Sequence, residues 1–281
     1  MTESGNLETQ VAKVRVEHSV KDGVNTALNL LGGVDRFVQS GDVVTIKPNL
    51  NTADPYPASS DPKFIHALGE AILDAGASKI KIVESSMFRL KTREVAHETG
   101  LLEVAEKIGA EVSFLEEAQW IKQNLPKGTH MKSAHVGEAM TSYEKLVVAP
   151  CLKTHRFARF TGTMKLFVGV IKGSDRLKMH SRKLEEKIAD LASYFQPDLV
   201  VMDARKVFVT GGPASGRIES PGYILAGTDM VAVDVEGVRI LQSYDAENRL
   251  NMPVWDIPQI RHAVKIGLGA SSDADISLIH N

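Results

Sequence analysis

Short runs rich in valine and isoleucine recur along the chain, each closed by polar or glycine residues. They are VAKVRVEHS, DVVTIKPNL, KIKIVES and AEVSFLE in the first half, then LVVAPCLKT, DLVVMD, YILAG and DISLIH in the second. Runs of that length and composition predict strands. Between them apolar residues return at helical spacing over 20–34, 62–75, 92–108 and 183–195, and again after Asp229 and over 257–267. The second of these is well delimited, with Asp61 placed to cap it, Pro62 at its first position and Gly76 just beyond its end. Strands alternating with helices of this length predict βαβ units. The expected fold class is therefore α/β, a mostly parallel sheet with helices on both faces and room for two lobes around a cleft. Residues 1–142 form a first α/β lobe in this reading and 143–281 a second α/β region, or the two make one continuous unit. The polar interval 119–142, with Pro126, Gly128 and Gly137, reads as an irregular excursion holding one short strand.

The charge pattern singles out one segment. The chain of 281 residues has 33 Lys or Arg against 35 Asp or Glu, a formal net charge of -2. From Cys151 to Lys183, however, nine basic residues face a single acid, Asp175. Like charges repel across about 8–10 Å, so such a cluster costs stability unless an anion sits among them or water covers them as a solvated face. Elsewhere the composition is that of an ordinary globular protein, 43% hydrophobic. No run approaches the roughly 18 apolar residues that span a bilayer, and MTESGNLETQ has no apolar signal core. A cytoplasmic location without membrane contact is the expectation. A pI near 6.5 argues against a dedicated nucleic-acid binder. Phe157 and Phe160 alternate with Arg156 and Arg159 as a stacking surface would, but the same rings suit packing under the next helix.

Ligands in open α/β sheets bind outside the carboxyl ends of the strands. Polar residues follow four predicted strands at that edge: Lys47, Asn49 and Asn51; Glu84, Ser85 and Ser86; Lys153, Thr154 and His155; and Asp203. Lys153 and His155 alternate on an extended segment and so share one side, where an ammonium and an imidazole can hold an anion or exchange a proton. They are the candidate catalytic pair. In the next predicted helix Met164, Phe167, Val168 and Ile171 make the buried face, with Lys165 and Lys172 on a neighbouring stripe. The candidate substrate wall is thus Lys47, Asn49, Asn51, Glu84, Ser85, Lys165, Lys172 and Asp203. TGGPASG matches neither the P-loop nor the dinucleotide fingerprint and suits a flap or tight turns equally well. Asp234, amid apolar neighbours, needs a partner if buried, and Arg239 is out of register to supply it. Nine histidines offer no H-x-x-x-H pair, and His155, His180 and Asp203 lie far apart in sequence, so no metal site is indicated. One cysteine, Cys151, excludes an internal disulfide and any cluster held by thiolates of this chain alone.

The run LVVAPCLKTHRFARFTGTMKLFVGVIKG through DRLKMH, then DLVVMDARKVFVTGGPASG and ILAGTDMVAVDVEGVRIL, resembles the uncharacterised family catalogued as domain of unknown function 362. VTIKPNL, SDP and GASKIKIVESS are similar to that family's opening pattern. The resemblance implies a relationship to proteins often joined to ferredoxin-like segments with two cysteine-rich cluster motifs. This chain lacks those cysteines, so an electron-transfer role would need a separate iron–sulfur protein as partner. A more general pattern is similar to the lactate racemase family, whose members use a lysine-tethered nickel pincer cofactor with histidine ligands, but VESSMF carries no histidine where that pattern has one. Two readings follow. One is a small-molecule enzyme acting on a carboxylate or phosphate in a Lys/His-lined cleft, its cofactor unidentified. The other is a non-catalytic binding or accessory protein serving an iron–sulfur partner.

Overall fold

The computed structural model describes residues 9–281. The first half runs β1 (Thr9–Arg15), α1 (Val20–Leu30), β2 (Val43–Lys47), α2 (Pro62–Asp74), β3 (Lys79–Glu84), α3 (Thr92–Glu98), α4 (Leu101–Lys107) and β4 (Glu111–Phe114). A hairpin of β5 (Trp120–Asn124) and β6 (Ser133–Gly137) follows, then β7 (Lys145–Val148), β8 (Lys153–His155), β9 (Arg159–Thr161), α5 (Thr163–Leu166), α6 (Gly173–Met179) and α7 (Leu184–Ala192). The chain closes with β10 (Leu199–Ala204), β11 (Val207–Phe208), β12 (Ile218–Glu219), β13 (Tyr223–Gly227), α8 (Met230–Gln242), α9 (Pro258–Lys265) and β14 (Ile276–His280).

Eight strands share one sheet in the order β14-β1-β13-β10-β7-β2-β3-β4. Only β13 runs antiparallel to its neighbours, β1 and β10. The expected α/β class and mostly parallel sheet are what the structure shows, with strands from both sides of residue 142 joined in it. Side chains alternate between faces along each strand. In β10, Leu199 and Val201 join Ile46, Phe64, Leu68 and Leu28 under α1–α4. Val200 and Met202 point the other way, toward Phe167, Ile188, Val235 and Ile260 of the second helical layer. Burying each such side chain stabilises the fold by about 1.5–3 kcal/mol, which is why these strands read as continuous apolar runs.

Three elements differ from expectation. The helix expected over 92–108 is two, because Gly100 adopts a left-handed φ of 78 and caps α4. The interval 119–142 holds a paired hairpin, β5 and β6, rather than one strand; alternating half-buried residues conceal such a pair from a hydrophobic-run search. The helix after Gly162 is short: α5 gives way to a tighter turn over Phe167–Val170, and Ile171 is extended at ψ 156. Among the described residues no helix is long and apolar enough to cross a membrane.

The topology creates one crevice. From β2 the chain moves outward to β3 and β4, whereas from β7 it moves the opposite way to β10. β2 and β7 are neighbours, with Lys47 beside Val148, so their carboxyl ends form the point where the winding reverses.

Candidate functional site

A cavity of about 380 Å³ opens at that crevice. β2 and its loop contribute Lys47, Asn49, Leu50 and Asn51; the end of β3 contributes Glu84 and Ser85. β8, β9 and their turn supply Lys153, His155, Arg156, Phe157 and Thr161. α5 supplies Lys165, and α6 with its cap supplies Arg176 and His180. Met87, Phe88, Phe157 and Leu177 are large apolar residues on this lining that remain exposed, Phe157 at 63%.

The floor is a buried ion pair. Lys47 Nζ donates to Glu84 Oε1 and to the Pro48 carbonyl at 2.7 Å. Glu84 also accepts from the backbone N–H of Leu50 at 3.0 Å and of Ser85 at 2.7 Å. Burial pushes Lys47 down and Glu84 up, and their mutual attraction opposes both shifts. Arg176 closes the floor. Its guanidinium donates to the carbonyls of Ser86 (2.6 Å), Ile171 (2.8 Å) and Gly169 (2.8 Å) and to the Ser85 hydroxyl, tying β3 to the α5–α6 turn.

Three cationic or imidazole groups stand above it. Lys153 Nζ is held by the carbonyls of Pro57 (2.9 Å) and Ala58 (2.6 Å) and by Asn49 Oδ1 (3.2 Å), and burial lowers it to about 8. Lys165 is different. It has no hydrogen-bond partner among the described residues, and burial together with the charges of Lys153 and Arg176 lowers it to about 7. Burial, then Lys165, His180 and Lys153, push His155 far below the ordinary imidazole range, so it is neutral.

The two imidazoles present opposite atoms. His155 Nδ1 accepts from the backbone N–H groups of Phe157 and Ala158, both at 3.1 Å, so neutral His155 carries its proton on Nε2. His180 Nδ1 lies 2.7 Å from the Arg176 carbonyl and must donate to it, which leaves neutral His180 a lone pair on Nε2. The Phe157 ring lies between them, its centroid 6.1 Å from one imidazole and 6.3 Å from the other. One cavity therefore holds a lysine with no protein partner among the described residues, a neutral N–H donor on His155 and, on the neutral form of His180, an Nε2 acceptor.

Lys47, Asn49, Asn51, Glu84, Ser85, Lys153, His155 and Lys165 all reach the cavity. Two candidates do not. Lys172 is exposed, its backbone N–H bound to the His135 carbonyl, because the helix stops before it and the stripe shared with Lys165 is never formed. Asp203 is buried away from the cavity, where it accepts from Tyr56 Oη (2.6 Å) and from Arg205, which also pairs with Asp61. That network fastens the 48–61 loop, which presents the Pro57 and Ala58 carbonyls to Lys153. Of the basic cluster, Arg159, Lys178 and Lys183 pair with Glu185, Asp175 and Glu186. Phe160 is buried as expected, whereas Phe157 is not. Cys151 is buried and its thiol is pushed up to about 12, so it is no accessible thiolate.

Arg176 was not singled out from the sequence, and His180 was weighed only as a metal ligand, although their i, i+4 spacing puts both on one face of α6. Asp234 finds its partners in the backbone N–H groups of Thr163 and Met164. It thereby caps α5, the helix carrying Lys165, while burial pushes it up to about 7 against those two donors. TGGPASG packs on β8 and brings Pro213 to the cavity wall. Gly212 has φ +69, and a Cβ there would lie 1.8 Å from the Thr154 carbonyl oxygen. Gly212→Ala is expected to lower unfolding stability by roughly 2 kcal/mol or more, measured by urea unfolding; unchanged stability would show that the loop does not bear on β8.

A solved lactate racemase apoprotein from Thermoanaerobacterium thermosaccharolyticum has a similar fold, with TM-score 0.52 and 15% identity. The match covers 82% of this chain and 56% of the racemase, so the chain spans little more than half its length. A Thermotoga maritima protein gives TM-score 0.48 and 12% identity over 81% of this chain and 59% of that one. The cavity offers Lys165 as a free amine for a lysine-tethered nickel group, but its two imidazoles present one lone pair between them. Among the described residues no three His, Cys, Asp or Glu converge as a metal set. Histidine ligation in the plural does not fit this arrangement, and no step is derived through it. A thylakoid-associated protein of Synechocystis is 25% identical over 232 residues, 80% of this chain and 70% of that protein. The model for Domain of unknown function (DUF362) matches residues 44–239, which include every residue lining the cavity, and the chain belongs to that family.

Proposed function

We propose that this protein is a small-molecule enzyme that binds an anionic substrate, a carboxylate or a phosphate, in the cavity at the β2/β7 crevice. The observation that carries this reading is Lys165, a cation with no protein partner among the described residues in a cavity where five Lys or Arg (Lys47, Lys153, Arg156, Lys165, Arg176) face one carboxylate, Glu84. Unit charges about 4 Å apart in such surroundings interact by roughly 4 kcal/mol, so an anion beside Lys165 relieves repulsion that the empty site retains. Lys153 is committed to three oxygens and acts here by holding the 48–61 loop. His155 contributes a neutral N–H donor, and His180 a proton acceptor.

Isothermal titration tests the reading. Inorganic phosphate or acetate is expected to bind with proton uptake at pH 8, because an anion raises Lys165 from about 7 and draws a proton onto it. The heat then varies with the ionisation enthalpy of the buffer. Absence of binding by both anions up to about 10 mM would sink the anion site.

A further inference from the structure

We propose that Lys165 is a covalent amine, forming an imine with a small 2-oxo acid while His155 polarises the carbonyl oxygen and His180 relays the proton. The proposal rests on the anion-site reading and narrows it to one substrate class. Every other lysine or arginine lining the cavity is committed: Lys47 to Glu84, Lys153 to backbone carbonyls, Arg156 to the Gly212 carbonyl, Arg176 to three carbonyls and a hydroxyl. Lys165 alone among them is bound to nothing among the described residues.

An amine attacks a carbonyl only as its free base, and a lysine near 7 offers that form at neutral pH. Burial does most of the lowering, and Lys153 on β8 and Arg176 on α6 add to it by disfavouring the ammonium, while the carboxylate of Glu84 is neutralised by Lys47. A 2-oxo acid supplies a carboxylate for the cationic lining and, one bond away, an electrophilic carbon for the amine. Asn51 and Thr161 line the same cavity, and the Thr161 hydroxyl is buried without a partner.

The step balances without a co-reactant. The Lys165 nitrogen lone pair adds to the carbonyl carbon, and the C=O π pair moves to oxygen, where the His155 Nε2–H hydrogen bond stabilises it. His180 Nε2 removes a proton from the attached nitrogen and returns it to the oxygen, giving a neutral carbinolamine. The nitrogen lone pair then expels the hydroxyl group as the C=N bond forms, and His180 passes the remaining N–H proton to it, so water leaves. One carbonyl compound and one amine become one imine and one water. His155 keeps its proton throughout, as a neutral imidazole must.

Full-length protein is incubated at pH 7.5 with pyruvate and sodium cyanoborohydride, then analysed by intact mass and peptide mapping. The expected result is one reduced pyruvate on Lys165, formed roughly tenfold faster than the acetone adduct and slowed by acetate, because carboxylate binding positions the carbonyl. Lys165→Met should give no adduct at that peptide, and because the adduct is mapped on the labelled wild-type chain itself, the result does not depend on how that variant folds. If acetate binds by calorimetry yet Lys165 stays unmodified, the imine proposal is overturned and the anion site stands. If acetone and pyruvate label Lys165 equally and acetate does not slow them, the amine is reactive but both the oxo-acid class and the anion site fail. Adducts spread over exposed lysines overturn the proposal.

Discussion

Lys165→Met is expected to make the empty protein more stable at neutral pH and to abolish phosphate and acetate binding. In the folded chain Lys165 titrates near 7, whereas the ordinary lysine value is 10.5. Between those values the unfolded chain binds the proton more strongly. Stability associated with this residue is therefore full above about 10.5, falls as the pH drops toward 7, and stays at its lower level below that. Each tenfold loss of proton affinity on folding corresponds to about 1.4 kcal/mol, and water entering the cavity reduces the total, so methionine should gain on the order of 1–3 kcal/mol at pH 7. Lys153, near 8, is lowered in the same sense, so the variant should flatten the pH dependence rather than remove it. Urea unfolding of both proteins from pH 6 to 10 measures this. A methionine variant less stable than wild type across that range would mean that the Lys165 ammonium has a favourable partner in the folded protein. Gain of stability together with loss of binding is the mark of a residue kept for its ligand.

The Lys47–Glu84 pair should behave in the opposite way. Lys47→Met leaves Glu84 buried beside two backbone donors without its principal counter-charge, and Glu84→Gln leaves the buried Lys47 ammonium without a counter-charge and turns an NH2 group against one of those backbone donors. Each single change is expected to lose about 3–5 kcal/mol, and the double change distinctly less than their sum, since breaking a buried pair strands a charge whereas removing both does not. The four proteins form a double-mutant cycle read by urea unfolding. Losses that add within about 0.5 kcal/mol would show that the pair is not coupled. The pair also joins the ends of β2 and β3 through Pro48, Leu50 and Ser85, so the singles should weaken anion binding by loosening the floor.

Most of the cavity wall was legible because a parallel strand ends where its apolar run ends, and the next polar residues must emerge at the carboxyl edge. Lys47 and Asn49 after VVTI, Glu84 and Ser85 after KIKIV, and Lys153 and His155 after LVVAPCL all follow from that rule. It failed at Asp203, which also follows a strand. There the partners come from far along the chain, Tyr56 and Asp61 through Arg205, and they convert a cavity candidate into a loop fastening. Lys172 failed for another reason. Apolar residues at i, i+3, i+4 and i+7 persist through a stretch that is helix, then tight turn, then extended backbone, so the pattern outlasts the helix.

By itself the sequence determined the α/β class, the strand and helix sequence and the edge at which the chemistry lies, because alternation of apolar runs and helical periodicity are local properties. It also determined that an excess of cations had to be accommodated between Cys151 and Lys183. Only the tertiary structure decided which of those cations stay free. Partners separated by tens of residues engage Arg159 through a carboxylate and Lys153 and Arg176 through carbonyl oxygens, and α6 folds back to set His180 near His155. A residue's charge state depends on what surrounds it in space, and Lys165 is distinguished from Lys153 only by the carbonyls that one of them reaches and the other does not.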